Sequence, residues 1–406
     1  MALTVRKVDH DVNVVQSLCK TLNISLPPVP YPVKHIEPWR RFDLDRLNGD
    51  LLEAAKKPSH IKAELGNASN AYELKSLGEW RKQDELFAKK AMGAIKKIPT
   101  DPTKDFFELL LYSYIKEDEI PVLRVKALPD TEVVHLNMES VEPIEPERLG
   151  FFAVLVYVEQ GAKARIYSVD RGNTFDICSL RVYQEPDSKL EFQLMSESGT
   201  SRGAVSYLKS YQENDSTSRY GIFTMDRKNR KFFVENRLQK RAHTEYDGFH
   251  TGNASKNDHD FHIVHEGSDS VSNIYFKMAL VDHAYAVFWG QTDVLPGTTG
   301  CSATQLNKNL LLGKSSRVDA IPKLEIITED VEASHGSATG EISEEEIFYL
   351  MARGLELSEA RKLLVYGFIE DVFQRAFRDQ NLEEGNEFLD NIWEKTLDIV
   401  NIKVQK

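Results

Sequence analysis

At 406 residues the chain is long enough for two or three domains, and 41% hydrophobic against 28% charged residues is the balance of a folded globular protein. A net charge of −12 disfavours a general role on nucleic acid or on anionic membrane surfaces. No run reaches the roughly 20 apolar residues of a membrane helix, so neither partner is expected.

The N-terminal stretch MALTVRKVDHDVNVV carries Arg6, Lys7, Asp9 and Asp11, and no apolar run follows that would serve as a secretion signal. Residues 1–118 read as helical. Asp11 is placed to cap a first helix with Val12, Val15, Leu18 and Leu22 along one side. SLPPVPYPV then breaks the pattern, because proline removes a donor and fixes the backbone. EPWRRFDLDRL follows. An amphipathic segment over 71–98 and KDFFELLLYSYIKED from Lys104 predict two further helices.

Near Ile120 the texture changes. In LEFQLMS, Leu190, Phe192 and Leu194 point one way while Glu191 and Gln193 point the other. FFAVLVYVEQGAKARIYSV predicts two strands joined by a turn at Gln160 and Gly161, and RGN, ESGTSRG, ENDS and DRKNR recur as turns at strand-length spacing. Residues 119–340 therefore predict a large all-β unit. Periodicity leaves sandwich, barrel and solenoid open, since no clean short repeat decides among them. Residues 341–406 return to helix. Ser343 and Glu346 have capping-box spacing, with Ile347, Leu350 and Met351 at helical intervals. Gly354 predicts a left-handed cap, and Ser358 opens a helix carrying Leu363, Leu364, Phe368 and Val372, which together make a helical hairpin. This segment holds 15 acids and 8 bases, more than half of the chain's net charge.

Several motifs have a plain structural alternative. LLLGKSS at 310–316 lacks the glycine a phosphate-binding loop needs five residues before Gly313, where Lys308 stands; a strand and turn account for it. His243, His250, His259, His262 and His265 lie close in sequence. In DHDFHIVHE, however, His262 and His265 fall on opposite faces of a strand, and no cysteine or carboxylate spacing completes a zinc site. The segment 225–241 carries 7 bases, 2 acids and Phe232–Phe233, which suits nucleic acid or a basic turn between strands; net acidity favours the turn. Glu329 and Asp330 have the chemistry of a general acid–base pair, with surface carboxylates as the ordinary alternative. No G-x-S-x-G elbow is present. Cys19, Cys178 and Cys301 lie far apart without a CxxC, which predicts a reduced, cytoplasmic chain; each alone reads as a small buried hydrophobe. His335 differs from these. Ala333, Ser334 and Gly336 leave its imidazole sterically open, at a boundary between domains.

The run 323–373, KLEIITEDVEASHGSATGEISEEEIFYLMARGLELSEARKLLVYGFIEDVF, resembles the C-terminal signature of the SufB/SufD family of the SUF iron–sulfur cluster assembly machinery. The matching pieces are P-x-L-E-I at 322–326, Asp330–Val331, S-H-G at 334–336, T-G at 339–340, F-Y-L-x-x-R-G at 348–354 and E-A-R-x-L-L-V-x-G-F at 359–368. TQLNKNLLL, HEGSDSVSNIYFKMAL, VYVEQGAKARI and EPWRRFDL also look like family segments.

The resemblance implies a central right-handed parallel β-helix (119–340) between an N-terminal helical domain (1–118) and a C-terminal helical domain (341–406). In such a solenoid each coil buries its face only against its neighbours. It implies a non-catalytic scaffold subunit that pairs through its β-helix with a SufB-type subunit or with itself. The C-terminal hairpin would dock an ABC-type ATPase, SufC, with Arg353, Gly354, Glu359, Arg361, Leu364 and Phe368 as candidate docking residues. Asn307 aligns with a cluster-binding cysteine of SufB, and Gly336 stands where SufB tends to have Glu, so the resemblance points to SufD. His335 would then be a candidate ligand, at the subunit interface, for an iron–sulfur cluster present only in the complex; imidazole replaces thiolate on iron in Rieske-type centres. No cofactor is expected in the isolated chain. Cys301, six residues before Asn307, does not take that cysteine's place on this alignment. A β-solenoid enzyme or binding module for acidic polysaccharide is the alternative; such enzymes commonly carry a basic or calcium-lined groove and an export signal, and neither is read here.

Overall fold

The computed structural model describes residues 8–26, 39–40, 51–56, 58–61, 63–67, 70–101, 104–128, 133–137, 149–172, 175–198, 203–226, 229–378 and 382–401. Most of SLPPVPYPV and of EPWRRFDL lies outside them.

The alternating segments form strands that stack rather than hairpins. Five short strands come first: β1 (Pro58–His60), β2 (Glu64–Leu65), β3 (Tyr72–Ser76), β4 (Pro121–Val125) and β5 (Val133–Asn137). Fourteen strands of nine to eleven residues follow. They are β6 (Leu149–Val158), β7 (Lys163–Gly172), β8 (Phe175–Gln184), β9 (Lys189–Ser198), β10 (Ala204–Gln212), β11 (Thr217–Asp226), β12 (Arg230–Leu238), β13 (His243–Asn253), β14 (Lys256–His265), β15 (Val271–Val281), β16 (Tyr285–Val294), β17 (Cys301–Leu311), β18 (Arg317–Ile326) and β19 (Val331–Glu341). From β4 on, even-numbered strands form one parallel sheet and odd-numbered strands the other, so each successive pair is one coil of a parallel β-helix. Like residues stack along the axis: Ile166, Phe192, Tyr220, Tyr246 and Ile274 share one register position and all face the interior. The Tyr220 and Tyr246 rings lie 4.8 Å apart and nearly parallel, the spacing of neighbouring strands.

One corner sets the coil length. Gly161, Asp187, Asp215, Arg241 and Asp269 all have positive φ, and each donates its N–H to the corner of the next coil, at the carbonyls of Pro186, Asn214, Lys240, Ser268 and Thr299. Ser188, Ser216 and Ser270 then donate their hydroxyls back to the carbonyl three residues earlier. This left-handed corner costs little for Gly or Asp and lets the chain turn sharply without a helix.

The helices are α1 (Val8–Leu22), α2 (Leu77–Gln83), α3 (Glu85–Lys97), α4 (Phe106–Tyr114), α5 (Glu344–Met351), α6 (Leu357–Ala376) and α7 (Leu382–Asn401). Three expectations change here. Helix α1 already runs at Val8, which puts Asp11 inside it. The segment 71–98 begins as strand β3 paired with β4; Ser76 then caps α2 through a reciprocal box with Glu79, and Asp84 ends α2 and caps α3. Glu356, not Ser358, caps α6, in a box with Glu359.

Helix α4 lies on the outer face of the even sheet, where Phe106, Phe107, Leu110 and Leu111 pack with Ile177, Val205, Tyr207 and Phe233. Beneath it Glu108 receives Arg181 Nε at 3.0 Å, Lys209 Nζ at 2.9 Å and the Ser179 hydroxyl at 2.7 Å, while Lys209 also pairs with Asp105. All four charged groups are buried, and each charge has an opposite neighbour, as a low-dielectric site demands. Helices α6 and α7 cover the odd sheet, with Val365, Ile369, Val372, Phe388 and Ile392 on Met195, Phe223, Phe249 and Tyr275.

Candidate functional site

The last coil has no successor. β18 pairs with β16 and β19 with β17, and their other edges are unpaired among the described strands. The interior changes character before it ends. Where β15 supplies Ile274, Phe276 and Met278, the same positions on β17 are Gln305, Asn307 and Asn309. Gln305 Nε2 donates to Thr292 Oγ1 at 2.7 Å and to the Lys323 carbonyl at 3.4 Å. Asn307 Nδ2 donates to the Phe276 carbonyl at 3.0 Å, and Asn309 Nδ2 to Asn307 Oδ1 at 2.6 Å and Thr339 Oγ1 at 3.1 Å. On β19, His335, Ser337 and Thr339 continue these three rows.

His335 is exposed and lies within strand β19, near the end of the β-helix. Its openness has a different cause from the one the sequence suggests. Ser334 and Gly336 alternate onto the opposite face of the strand, and a Cβ on Gly336 would come 3.1 Å from Leu306 Cδ1. The imidazole is accessible because the stack ends there. Cys301, buried at the start of β17, has its thiol 3.5 Å from Ser270 Oγ. Four residues of extended strand, about 13 Å, separate it from Gln305.

The other histidines do not converge. His250 and His259 both bond to Thr224 Oγ1 inside the β-helix, at 2.9 and 3.0 Å. His265 sits between the hydroxyls of Ser270 and Ser272, and burial lowers its pKa to about 4. His262 faces outward between Lys104 and Asp293. Among the described residues no group of three or more His, Cys, Asp or Glu could hold a metal. In the basic segment, Lys231 pairs with Asp258 and Asp260, Arg237 with Glu235 and Glu266, and Arg241 with Asp215, so those charges are engaged within the fold. LLLGKSS is the end of β17 and a turn closed by the Ser316 hydroxyl on the Gly313 carbonyl. Glu329 and Asp330 are exposed in the turn before β19.

Helices α5 and α6 form the hairpin. Ser343 Oγ accepts the Glu346 N–H at 3.3 Å, and Gly354, at φ +97°, reverses the chain. The six candidate docking residues divide. Arg353, Gly354 and Glu359 are exposed, with Arg353 4.4 Å from the Tyr349 ring centre. Leu364 is half-buried. Arg361 lines a cavity of about 260 Å³ with Asp282, Lys314, Glu341 and Ile347. Phe368 turns to the β-helix, where its ring and carbonyl both meet Lys277 Nζ. The sequence reading missed the apolar surface here: Phe348 is 75% exposed, Tyr349 56% and Leu363 48%, with Met351, Leu357 and Tyr366 also exposed. Adjacent Ile347 and Phe348 were a signal. On an eight-residue helix they cannot share a face, and Ile347 is the buried one.

The family model for the SufBD core domain of SUF system FeS cluster assembly matches residues 144–368, more than half of the chain. The chain belongs to the SufBD family. The match takes in the seven coils from β6 to β19 and the hairpin as far as Phe368, and the parallel β-helix with helices at both ends meets the expected fold. Over 108 residues the chain is 37% identical to the iron–sulfur cluster assembly protein SufD of Escherichia coli, covering 27% of this chain and 25% of that protein. It is 34% identical over 110 residues to SufD of Bacillus subtilis, again 27% and 25%. A SufBD family protein of Mycobacterium leprae is 37% identical over 121 residues, 28% of this chain and 31% of the relative. The aligned part thus spans a quarter to a third of each relative, and by these names the chain is SufD-like. None of the described helices is long and apolar enough to cross a membrane.

Proposed function

We propose that this SufBD-family chain is a non-catalytic, cytoplasmic scaffold subunit of the SufD type. Its β-helix would pair end to end with a SufB-type subunit or a second copy of itself, and its hairpin would hold a SufC-type ATPase. The cluster is cargo, carried only in the assembled complex, with His335 as this chain's ligand. One observation carries the pairing: the β-helix ends on two strand edges that are unpaired among the described residues, over a polar interior that includes the exposed His335. An uncovered edge invites strand addition, and an uncovered polar lumen needs a wet or partnered lid. The exposed apolar rings of α5 and α6 support the second contact, since a patch of that kind on a soluble helix pair marks an interaction surface. No catalytic residue is assigned to the chain, and ATP hydrolysis would belong to the partner.

The test is anaerobic capture of the chain with a SufB-type subunit and a SufC-type ATPase, followed by iron and sulfide analysis. His335→Ala should leave the unfolding midpoint unchanged and lower the iron and sulfide content of the complex. Equal content in wild type and variant would remove the ligand role, and failure to capture either partner would remove the scaffold reading.

A further inference from the structure

The amide of Gln305 is oriented more strictly than its own bonds require. It spans the lumen from the odd to the even sheet, with Nε2 fixed by Thr292 Oγ1 and the Lys323 carbonyl. That leaves Oε1 as a buried acceptor without a hydrogen-bond partner. A Cβ at Gly290 would lie 2.6 Å from this oxygen, so the glycine on the facing strand gives the amide its space. A buried acceptor left unpaired carries a desolvation cost, so a donor within reach of it is worth seeking. The next residue along the axis, in register with Gln305 and on the same inward face, is His335. Strand spacing puts the two backbones about 4.8 Å apart, within side-chain reach. A histidine that ligates a metal usually gives its other ring N–H to an acceptor, which fixes tautomer and ring orientation.

We infer that Gln305 is the positioning residue for His335: when the exposed imidazole turns in over the lumen, Oε1 accepts one ring N–H and leaves the other nitrogen, unprotonated, facing the open end of the β-helix. This rests on the ligand reading of His335 for its purpose, but the bond itself is testable without any cluster. The polar interior of β17 then has a role beyond capping an apolar core, since the row that changes from Ile274 to Gln305 is the row that ends in His335.

The experiment is ring-¹⁵N NMR of the full chain labelled at histidine, above the imidazole titration range, with the His335 resonances assigned by their loss in His335→Ala. In the wild type the two ring nitrogens of His335 should differ widely in shift, as for a single tautomer. Gln305→Met, which keeps the length and lacks the acceptor, should collapse that difference toward the mixture of free imidazole. Gln305→Glu, which keeps an acceptor, should restore it. Unmoved signals from the remaining histidines report an intact fold. Free-imidazole shifts in the wild type, or a difference that survives Gln305→Met, would overturn the positioning bond and leave the ligand role standing. Unchanged iron and sulfide in the His335→Ala complex would overturn the ligand role whatever the tautomer.

Discussion

The interior histidines make the β-helix sensitive to mild acid in a way that can be worked out for His265. Its imidazole is held neutral between the hydroxyls of Ser270 and Ser272, and burial lowers its pKa from 6.5 to about 4. A base whose folded pKa is depressed binds its proton more readily when unfolded. Its contribution is therefore complete above pH 6.5 and is lost as pH falls toward 4. For these two values the loss is about 2 kcal/mol between pH 7.5 and 5, and about 3 kcal/mol by pH 4. His259, fully buried beside His250, is shifted the same way by burial and adds to the trend. Asp105 opposes it: burial raises its carboxyl to about 7, so its contribution grows as pH falls. A comparison of two chains removes such shared terms. Urea unfolding of wild type and His265→Gln at pH 7.5 and 5 should show the variant losing about 2 kcal/mol less over that interval. Parallel losses in the two chains would mean that His265 does not titrate on unfolding, and the account of a dry, neutral imidazole would be wrong.

Lys209→Met should destabilise the chain by about 3–5 kcal/mol, because Asp105 and Glu108 would face each other buried with only Arg181 left to offset them; thermal unfolding reads this directly. Gly248→Ala should cost about 1–3 kcal/mol, since the new Cβ would lie 2.5 Å from the Phe276 ring inside the lumen; an unchanged denaturation midpoint would show that this coil tolerates expansion. Phe348→Asp and Leu363→Asp, both on exposed side chains, should alter stability by less than about 0.5 kcal/mol yet weaken capture of a SufC-type ATPase by ~10-fold or more, measured by titration calorimetry.

How much of this could be read in the sequence depends on whether a feature is local. The Ser343 cap and the Gly354 reversal need only neighbours in the chain, and both are where the spacing puts them. The strand texture was equally plain, but its assembly was not. The coil has a signature, Asp-Ser at 187–188, 215–216 and 269–270, yet Gly161 and Arg241 fill the same corner with different chemistry. A corner that selects a backbone conformation tolerates several residues and so hides its own period. The helix expected over 71–98 failed at its first turn because β4, some 50 residues away, recruits Tyr72–Ser76 into a sheet. The site is the least local feature. His335 stood out in the sequence for its small neighbours, but two of the three, Ser334 and Gly336, face the other way; what exposes it is that β19 is the last of the described strands of its sheet. Gln305 carried no signal, because its significance lies in a register that only the fold supplies.

The two sets of helices are fastened differently, and this limits what a partner on the hairpin would move. Helix α4 is bound to β8 and β10 by the buried ionic group. Helix α6 is pinned along its second half: Gln193 Nε2 donates to the Ala376 carbonyl, Arg375 pairs with Asp247, and Asp371 takes both Lys277 and the Tyr275 hydroxyl. Those anchors stand on β9, β13 and β15. Against the last coils the packing of this helical layer is apolar, through Leu306, Leu310, Leu312 and Ile342, and the cavity of about 260 Å³ opens beside it. Directional bonds resist displacement where apolar contacts next to a void can slide and repack. A load on Phe348 would therefore swing α5 and the start of α6 about the anchored end. The contact that yields is at Leu306 and Leu310, each one residue along β17 from the amides of Gln305 and Asn309 beneath His335 and Thr339. Cutting the anchor with Arg375→Ala, which leaves both the apolar contact and His335 in place, should loosen the hairpin to amide exchange and weaken any coupling of ATPase binding to the His335 tautomer. If that coupling is as large without the anchor, the pivot is not at α6.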